Sequence, residues 1–125
     1  MKTVLIADDS TFMRKWLKQI IEKHPYKVIG EAKNGLEAVM QYQKLRPNII
    51  LMDIVMPKVN GLDALRKIIE LDPCANVIIS SSLATKNNVT SALQYGAKDF
   101  IVKPHFSGLI KVLDKIESEK NMPPL

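Results

Sequence analysis

Four short apolar runs stand out along the chain: Val4-Leu5-Ile6-Ala7, Ile49-Ile50-Leu51-Met52, Val77-Ile78-Ile79 and Phe100-Ile101-Val102. They are continuous rather than alternating, which is how strands buried on both faces of a parallel sheet read. A weaker run, Lys27-Val28-Ile29-Gly30-Glu31, reads as an edge strand. Between the runs the apolar period becomes helical. Phe12, Met13, Trp16, Leu17, Ile20 and Ile21 share one helix face, and Leu62, Leu65, Ile68 and Ile69 share another. Val89, Ala92 and Leu93 repeat the pattern, as do Leu109, Val112, Leu113 and Ile116. Asn34 with Glu37 three residues on predicts a capped helix start, and Gly96 stands where a left-handed helix cap is needed. A strand-helix unit repeated five times predicts an α/β fold, a doubly wound parallel sheet whose right-handed crossovers put helices on both faces. Five such units fill a chain of 125 residues as a single domain, expected over 1–120. The remainder, 121–125, carries Pro123-Pro124 and is expected to be a short tail or the start of a linker.

Composition narrows the class. A hydrophobic share of 46% and a charged share of 25% fit an ordinary globular protein, not a disordered or membrane-spanning one. The single cysteine, Cys74, permits no internal disulfide and fits a reducing compartment. The apolar stretch before Asp8 is too short for a signal peptide or a span, so a cytoplasmic protein without membrane insertion is expected. The net charge of +5 raises the question of nucleic acid. The positives are scattered, however, and the densest set (Arg14, Lys15, Lys18, Lys23 and Lys27) reads as a solvated helix face with no aromatics interleaved for base stacking. No nucleic-acid partner is expected. No glycine-rich phosphate loop is present, and His24 and His105 stand apart, suggesting no transition-metal site.

Open α/β sheets bind ligands outside the carboxyl ends of their strands, so the residues following each run matter most. Asp8 and Asp9 follow the first strand, Asp53 the third, Ser80, Ser81 and Ser82 the fourth, and Lys103-Pro104 the fifth. Each has a plain explanation alone: Asp9 before Ser10-Thr11 can cap a helix, serines make polar loops, and Lys-Pro makes a turn. Their convergence on one edge is harder to explain that way. Three carboxylates together repel and raise one another's pKa unless a cation sits among them. An all-oxygen site suits Mg2+, which is held by one or two carboxylates and a substrate phosphate. With the metal present, Asp53 can attack phosphorus as a carboxylate nucleophile, while Lys103 and Ser81 hold the transferring oxygens.

These motifs, Val4-Leu5-Ile6-Ala7-Asp8-Asp9-Ser10, Leu51-Met52-Asp53-Ile54-Val55-Met56-Pro57, Asn60-Gly61 and Lys103-Pro104, resemble those of response-regulator receiver domains over Thr3 to Ile116. The resemblance implies a flavodoxin-like, CheY-like sheet of order 2-1-3-4-5. It implies that Asp53 accepts a phosphoryl group from the phosphohistidine of a sensor histidine kinase, and that Asp8, Asp9, Asp53 and the backbone carbonyl of Val55 bind Mg2+. It makes Ser81 the switch hydroxyl and Phe100 the switch aromatic, and it implies a cis Lys103-Pro104 bond. The face made by the fourth helix, fifth strand and fifth helix would then bind partners.

Two positions modify this picture. Val55 and Leu83, two residues after Asp53 and Ser81, are apolar where fast-dephosphorylating relatives often carry polar side chains, so slow self-dephosphorylation is expected. Phe100 has no hydroxyl to donate to a partner. The pattern is nearest to stand-alone chemotaxis regulators, which are signalling domains rather than enzymes and bind a flagellar-motor switch protein and a phosphatase. The alternative is the receiver portion of a larger regulator with DNA-binding or enzymatic output, and Ser81-Ser82-Leu83 also resembles the receiver part of chemotaxis methylesterases. An aspartate-based phosphatase is disfavoured, because its two aspartates stand one residue apart after the first strand.

Overall fold

The computed structural model describes residues 1–120; the expected tail at 121–125 lies outside them. Five strands alternate with five helices: β1 (Lys2–Ala7), α1 (Thr11–Ile21), β2 (Tyr26–Ala32), α2 (Gly35–Leu45), β3 (Ile49–Met52), α3 (Gly61–Leu71), β4 (Val77–Ser81), α4 (Lys86–Gln94), β5 (Asp99–Val102) and α5 (Leu109–Lys120). All strand pairs are parallel and the order is β2-β1-β3-β4-β5, the flavodoxin-like arrangement. The direction of winding reverses between β1 and β3, which opens a crevice at their carboxyl ends.

Alternation along each strand sends successive side chains into two separate cores. Leu5, Ile50, Met52, Val77 and Ile79 pack against α2, α3 and α4 through Ala38, Leu65, Ile68 and Ala92. Val4, Ile6, Ile49, Leu51 and Ile78 pack against α1 and α5 through Leu17, Ile21, Leu109 and Leu113. Every residue of β3 is buried, which is why its sequence is an unbroken apolar run. Each buried Leu or Ile stabilises the fold by roughly 1.5–3 kcal/mol relative to exposure.

The helix starts are fixed by their caps. Ser10, not Asp9, caps α1, accepting from the Met13 N–H at 3.2 Å. Asn34 accepts from the Glu37 N–H at 2.8 Å, and Glu37 Oε1 reaches back to the Lys33 N–H at 3.2 Å, one residue earlier than a capping box requires. Gly96 follows α4 with φ +108°, as its position predicts.

Three expectations change. Phe12 and Trp16 do not join the core face of α1: Phe12 is 72% exposed, and only Leu17 and Ile21 of that helix are buried. A single helix laid on a sheet covers a narrower stripe than the six apolar positions span. Leu93 is likewise outside, and Ala92 is the buried residue of α4. Ser80 and Ser81 do not follow β4 but are its last two residues, paired with Ile101 and Val102. The ladder is made by backbone groups, so it runs on past the point where the side chains turn polar.

Candidate functional site

Register delivers the acidic residues to one place. Ala7 pairs with Met52, so Asp8 and Asp53 leave β1 and β3 side by side, locked by the Asp53 N–H donating to the Ala7 carbonyl at 2.9 Å. Ser81 pairs with Val102, and the Lys103 N–H donates to the Ser81 carbonyl at 3.0 Å, which carries Lys103 to the same edge. The Lys103-Pro104 peptide is cis. Its ammonium donates to Asp8 Oδ2 at 2.5 Å and to Asp53 Oδ2 at 2.8 Å.

The loop after Asp53 is tightly confined. Val55 N–H leans on Asp53 Oδ1 at 3.4 Å, and the Gly61 N–H donates to the Ile54 carbonyl at 2.7 Å. A Cβ at Gly61 would lie 1.9 Å from the Asp53 carbonyl oxygen, so glycine at this position lets α3 start hard against the end of β3. Within the loop, Lys58 takes a left-handed φ of 68°, a conformation that costs a lysine energy and is found where a chain is forced to turn.

Electrostatically the site holds more negative charge than it neutralises. Asp8 and Asp53 are buried, Asp9 is exposed, and one oxygen of each lies within 4.8 Å of the others. Burial pushes the Asp53 carboxyl above its usual range; Lys103 opposes the shift, the charge of Asp8 adds to it, and the rise wins. Burial works to lower the Lys103 ammonium, but its hydrogen bonds to Asp53 and Asp8 outweigh it and hold the group charged. One ammonium among three carboxylates leaves an all-oxygen cluster with surplus negative charge, which fits a hard divalent cation.

The remaining predicted residues fall around this cluster. Ser81 is fully buried and its Oγ accepts from the Leu83 N–H at 3.0 Å, so the hydroxyl is already tied into the turn after β4. Phe100 is half-buried against the α2–α3–α4 core, one residue away from the Ile101 that faces the opposite core. Val55 and Leu83 are both about half exposed, at 53% and 46%, and line one cleft with Met56, Leu62 and Tyr95. Charge and spacing predict Arg14 on a solvated basic face. Its guanidinium instead bonds the Asp8 carbonyl at 2.6 Å and Glu31 at 2.9 Å, a link between residues seventeen apart that no local pattern announces. Ser80 Oγ is buried with no hydrogen-bond partner among the described residues.

This geometry agrees with what the chain is similar to. Residues 4–114 match the family described as the response regulator receiver domain. The chemotaxis protein CheY of Thermotoga maritima is 49% identical over 116 residues, covering 92% of this chain and 97% of that protein. The response regulator domain of Thermotoga maritima CheB superposes with a TM-score of 0.86 at 42% identity, covering 99% of both chains. A CheX–CheY–BeF3–Mg complex from Borrelia burgdorferi contains a chain that superposes with a TM-score of 0.86 at 39% identity, covering 97% of this chain and 90% of that one. Strand order, the paired acids of β1, the aspartate of β3 and the lysine of β5 thus come with a family match over nearly the whole sequence, and the chain belongs to the response regulator receiver domains, of the CheY-like kind.

Proposed function

We propose that this domain is a phosphorylation switch of chemotaxis, charged on Asp53 by a sensor histidine kinase in the presence of Mg2+. The observation that carries the reading is the Asp53 carboxylate, buried at the crevice, 2.8 Å from Lys103 and clustered with Asp8 and Asp9. Asp9, Asp53 and the Val55 carbonyl would hold the cation, with Asp8 directly or through water. Bound there, Mg2+ supplies positive charge that keeps Asp53 ionised and neutralises phosphoryl oxygens. Asp53 then forms the new O–P bond as the N–P bond of the phosphohistidine breaks, and the imidazole recovers its proton from solvent. Lys103 exchanges part of its contact with Asp53 for a phosphoryl oxygen. Ser81 gives up its bond to the Leu83 N–H to donate to the same group, and Phe100 moves into the space vacated, remodelling the α4–β5–α5 face. A flagellar-motor switch protein and a phosphatase are the partners proposed for that face.

The proposed receiver unit spans 1–120, which the family match over residues 4–114 supports. A second reading, the receiver portion of a larger regulator such as a chemotaxis methylesterase, is favoured by the likeness to the CheB domain. One experiment separates them: activate the protein with Mg2+ and acetyl phosphate or berylliofluoride, then test capture of flagellar switch proteins. Capture by activated wild type, with Asp53→Asn silent, supports the chemotaxis switch. Activation-dependent dimerisation without capture supports the larger regulator.

Val55 and Leu83 give the phosphorylated state a long life, because neither side chain offers a hydrogen bond to an attacking water. Radiolabelled phosphoprotein is expected to keep its label well beyond seconds without a phosphatase, and Val55→Asn with Leu83→Glu to lose it faster. Loss within seconds from the wild type contradicts this.

A further inference from the structure

The loop bearing Asp8 and Asp9 is clamped by a side chain outside the carboxylate cluster. Arg14, in the first turns of α1, donates from Nη1 to the Asp8 backbone carbonyl at 2.6 Å, from Nε to Glu31 Oε1 at 2.9 Å, and from Nη2 to Thr11 Oγ1 at 3.3 Å. Its side chain is only 13% exposed, so the guanidinium is packed between α1 and the end of β2 rather than waving in solvent. The rest of Asp8 is equally constrained: its N–H donates to the Ala32 carbonyl, its Oδ1 accepts from the Ser10 N–H at 2.9 Å, and its Oδ2 is taken by Lys103. Asp9 is different. It is exposed, and its carboxylate makes no hydrogen bond or ion pair among the described residues. With no side-chain contact to hold it, where the Asp9 carboxylate can reach depends on where its backbone carries it. That backbone begins with the Asp8–Asp9 peptide, a rigid plane whose carbonyl Arg14 holds.

We propose that Arg14 is a positioning residue for the divalent cation, aiming the Asp9 carboxylate at Asp53 by fixing the Asp8 carbonyl and anchoring it to β2 through Glu31. The proposal rests on the Mg2+ reading above. It makes a prediction of opposite sign to simple electrostatics. A guanidinium near a cation site repels the cation, so on charge alone removing Arg14 tightens Mg2+ binding. If Arg14 positions the ligand, removing it loosens binding, since groups that orient ligands typically matter by 10–100-fold in metal affinity.

The test is calorimetric titration of Mg2+ into the full chain as wild type, Asp9→Asn, Arg14→Ala and Arg14→Lys, with thermal melts of each without metal. The expected result is saturable binding by wild type, lost in Asp9→Asn, and weakened roughly tenfold in Arg14→Ala. Arg14→Lys keeps the charge but cannot hold both the Asp8 carbonyl and Glu31, so its affinity falls between the two. In metal-free spectra the Asp9 amide resonance shifts in Arg14→Ala while that of Asp53, held by the Ala7 carbonyl, stays in place. Binding by Arg14→Ala as tight as wild type, or tighter, overturns the proposal. If that variant does not fold, Arg14→Lys decides, and affinity equal to wild type overturns it. Absence of saturable Mg2+ binding in wild type instead overturns the metal reading, and this inference with it.

Discussion

At the carboxyl edge of the sheet two buried carboxylates, Asp8 and Asp53, share the single ammonium of Lys103, and Ser80 Oγ has no partner among the described residues. At the amino edge most of the polar groups pair with one another, although both carboxylate oxygens of the buried Glu117 lack a hydrogen bond among the described residues. Thr3 donates from its N–H and hydroxyl to Asn48 Oδ1, at 2.8 and 3.0 Å, and Thr3 Oγ1 in turn accepts from the Asn48 N–H at 2.9 Å. The Tyr26 hydroxyl donates to Asp114 at 2.5 Å and the Tyr42 hydroxyl to Asp72 at 2.7 Å. Lys2 stands 3.3 Å from Glu117, an ion pair without hydrogen-bond alignment. The two edges differ in burial as well as in partnership: Asp8, Asp53 and Ser81 are buried, whereas Thr3, Asn48 and Asp72 are partly exposed and Asp114 is exposed. The amino edge holds the fold together. The carboxyl edge carries surplus negative charge of the kind a hard cation would neutralise.

The largest effect expected from breaking this division is at Gly61. Its Cβ position is 1.9 Å from the Asp53 carbonyl oxygen, a backbone atom that cannot rotate away. Gly61→Ala should therefore either displace Asp53 or lift α3 off the sheet, at a cost of about 3 kcal/mol, near the upper end for overpacking. Urea unfolding checks the stability, and loss of phosphoryl uptake from acetyl phosphate checks the site. At the amino edge the comparable variant is Asn48→Ala, which leaves the buried-side Thr3 N–H without its acceptor and costs about 1–3 kcal/mol. Uptake of phosphate should survive it, because no site residue touches Asn48.

The sequence conveyed the carboxyl edge better than the amino edge, and the reason is physical. Asp8, Asp53 and Lys103 each follow an apolar run, and a parallel sheet necessarily brings strand ends together, so their meeting is readable from spacing alone. The Tyr26–Asp114 pair joins residues 88 apart through a strand and a helix face, and no periodicity encodes which tyrosine meets which acid. The Arg14 contact is hidden for the same reason, because its partner Glu31 lies on another element. Phe12 and Trp16 were misplaced because helical spacing defines a face without saying how much of it a neighbour covers. The polarity of Ser80 and Ser81 reads as a loop and hides a ladder that side chains do not make.

The surplus charge gives a smaller effect with a definite sign. Burial raises the folded-state pKa of Asp53 above its unfolded value. Such a group contributes stability that is fully present below the unfolded pKa and lost as pH rises through the folded pKa. At neutral pH without Mg2+, Asp53→Asn should therefore melt above wild type, and the gap should close as the buffer is taken into the acid range. Saturating Mg2+ should raise the melting temperature of wild type and leave the variant nearly unmoved, narrowing or reversing the order. A variant that melts lower than wild type at neutral pH in metal-free buffer would mean that Lys103 already satisfies the site.

The smallest effect belongs to the amino edge, where it is present at neutral pH and fades in alkali. Burial first, then the hydrogen bond to Asp114 and the charges of Asp114 and Glu117, push the Tyr26 hydroxyl above its ordinary value. Its stabilising contribution is therefore present below the unfolded tyrosine pKa, near 10, and is lost as pH rises through the higher folded value. Tyr26→Phe removes the bond and should cost about 1 kcal/mol at neutral pH, because the acceptor Asp114 is itself exposed. The same variant has nothing to ionise, so its stability should change less than that of wild type above about pH 10. Urea midpoints measured from pH 7 to pH 11 should converge from a separation at the neutral end. Curves that stay parallel throughout would show that neither burial nor Asp114 holds the Tyr26 proton.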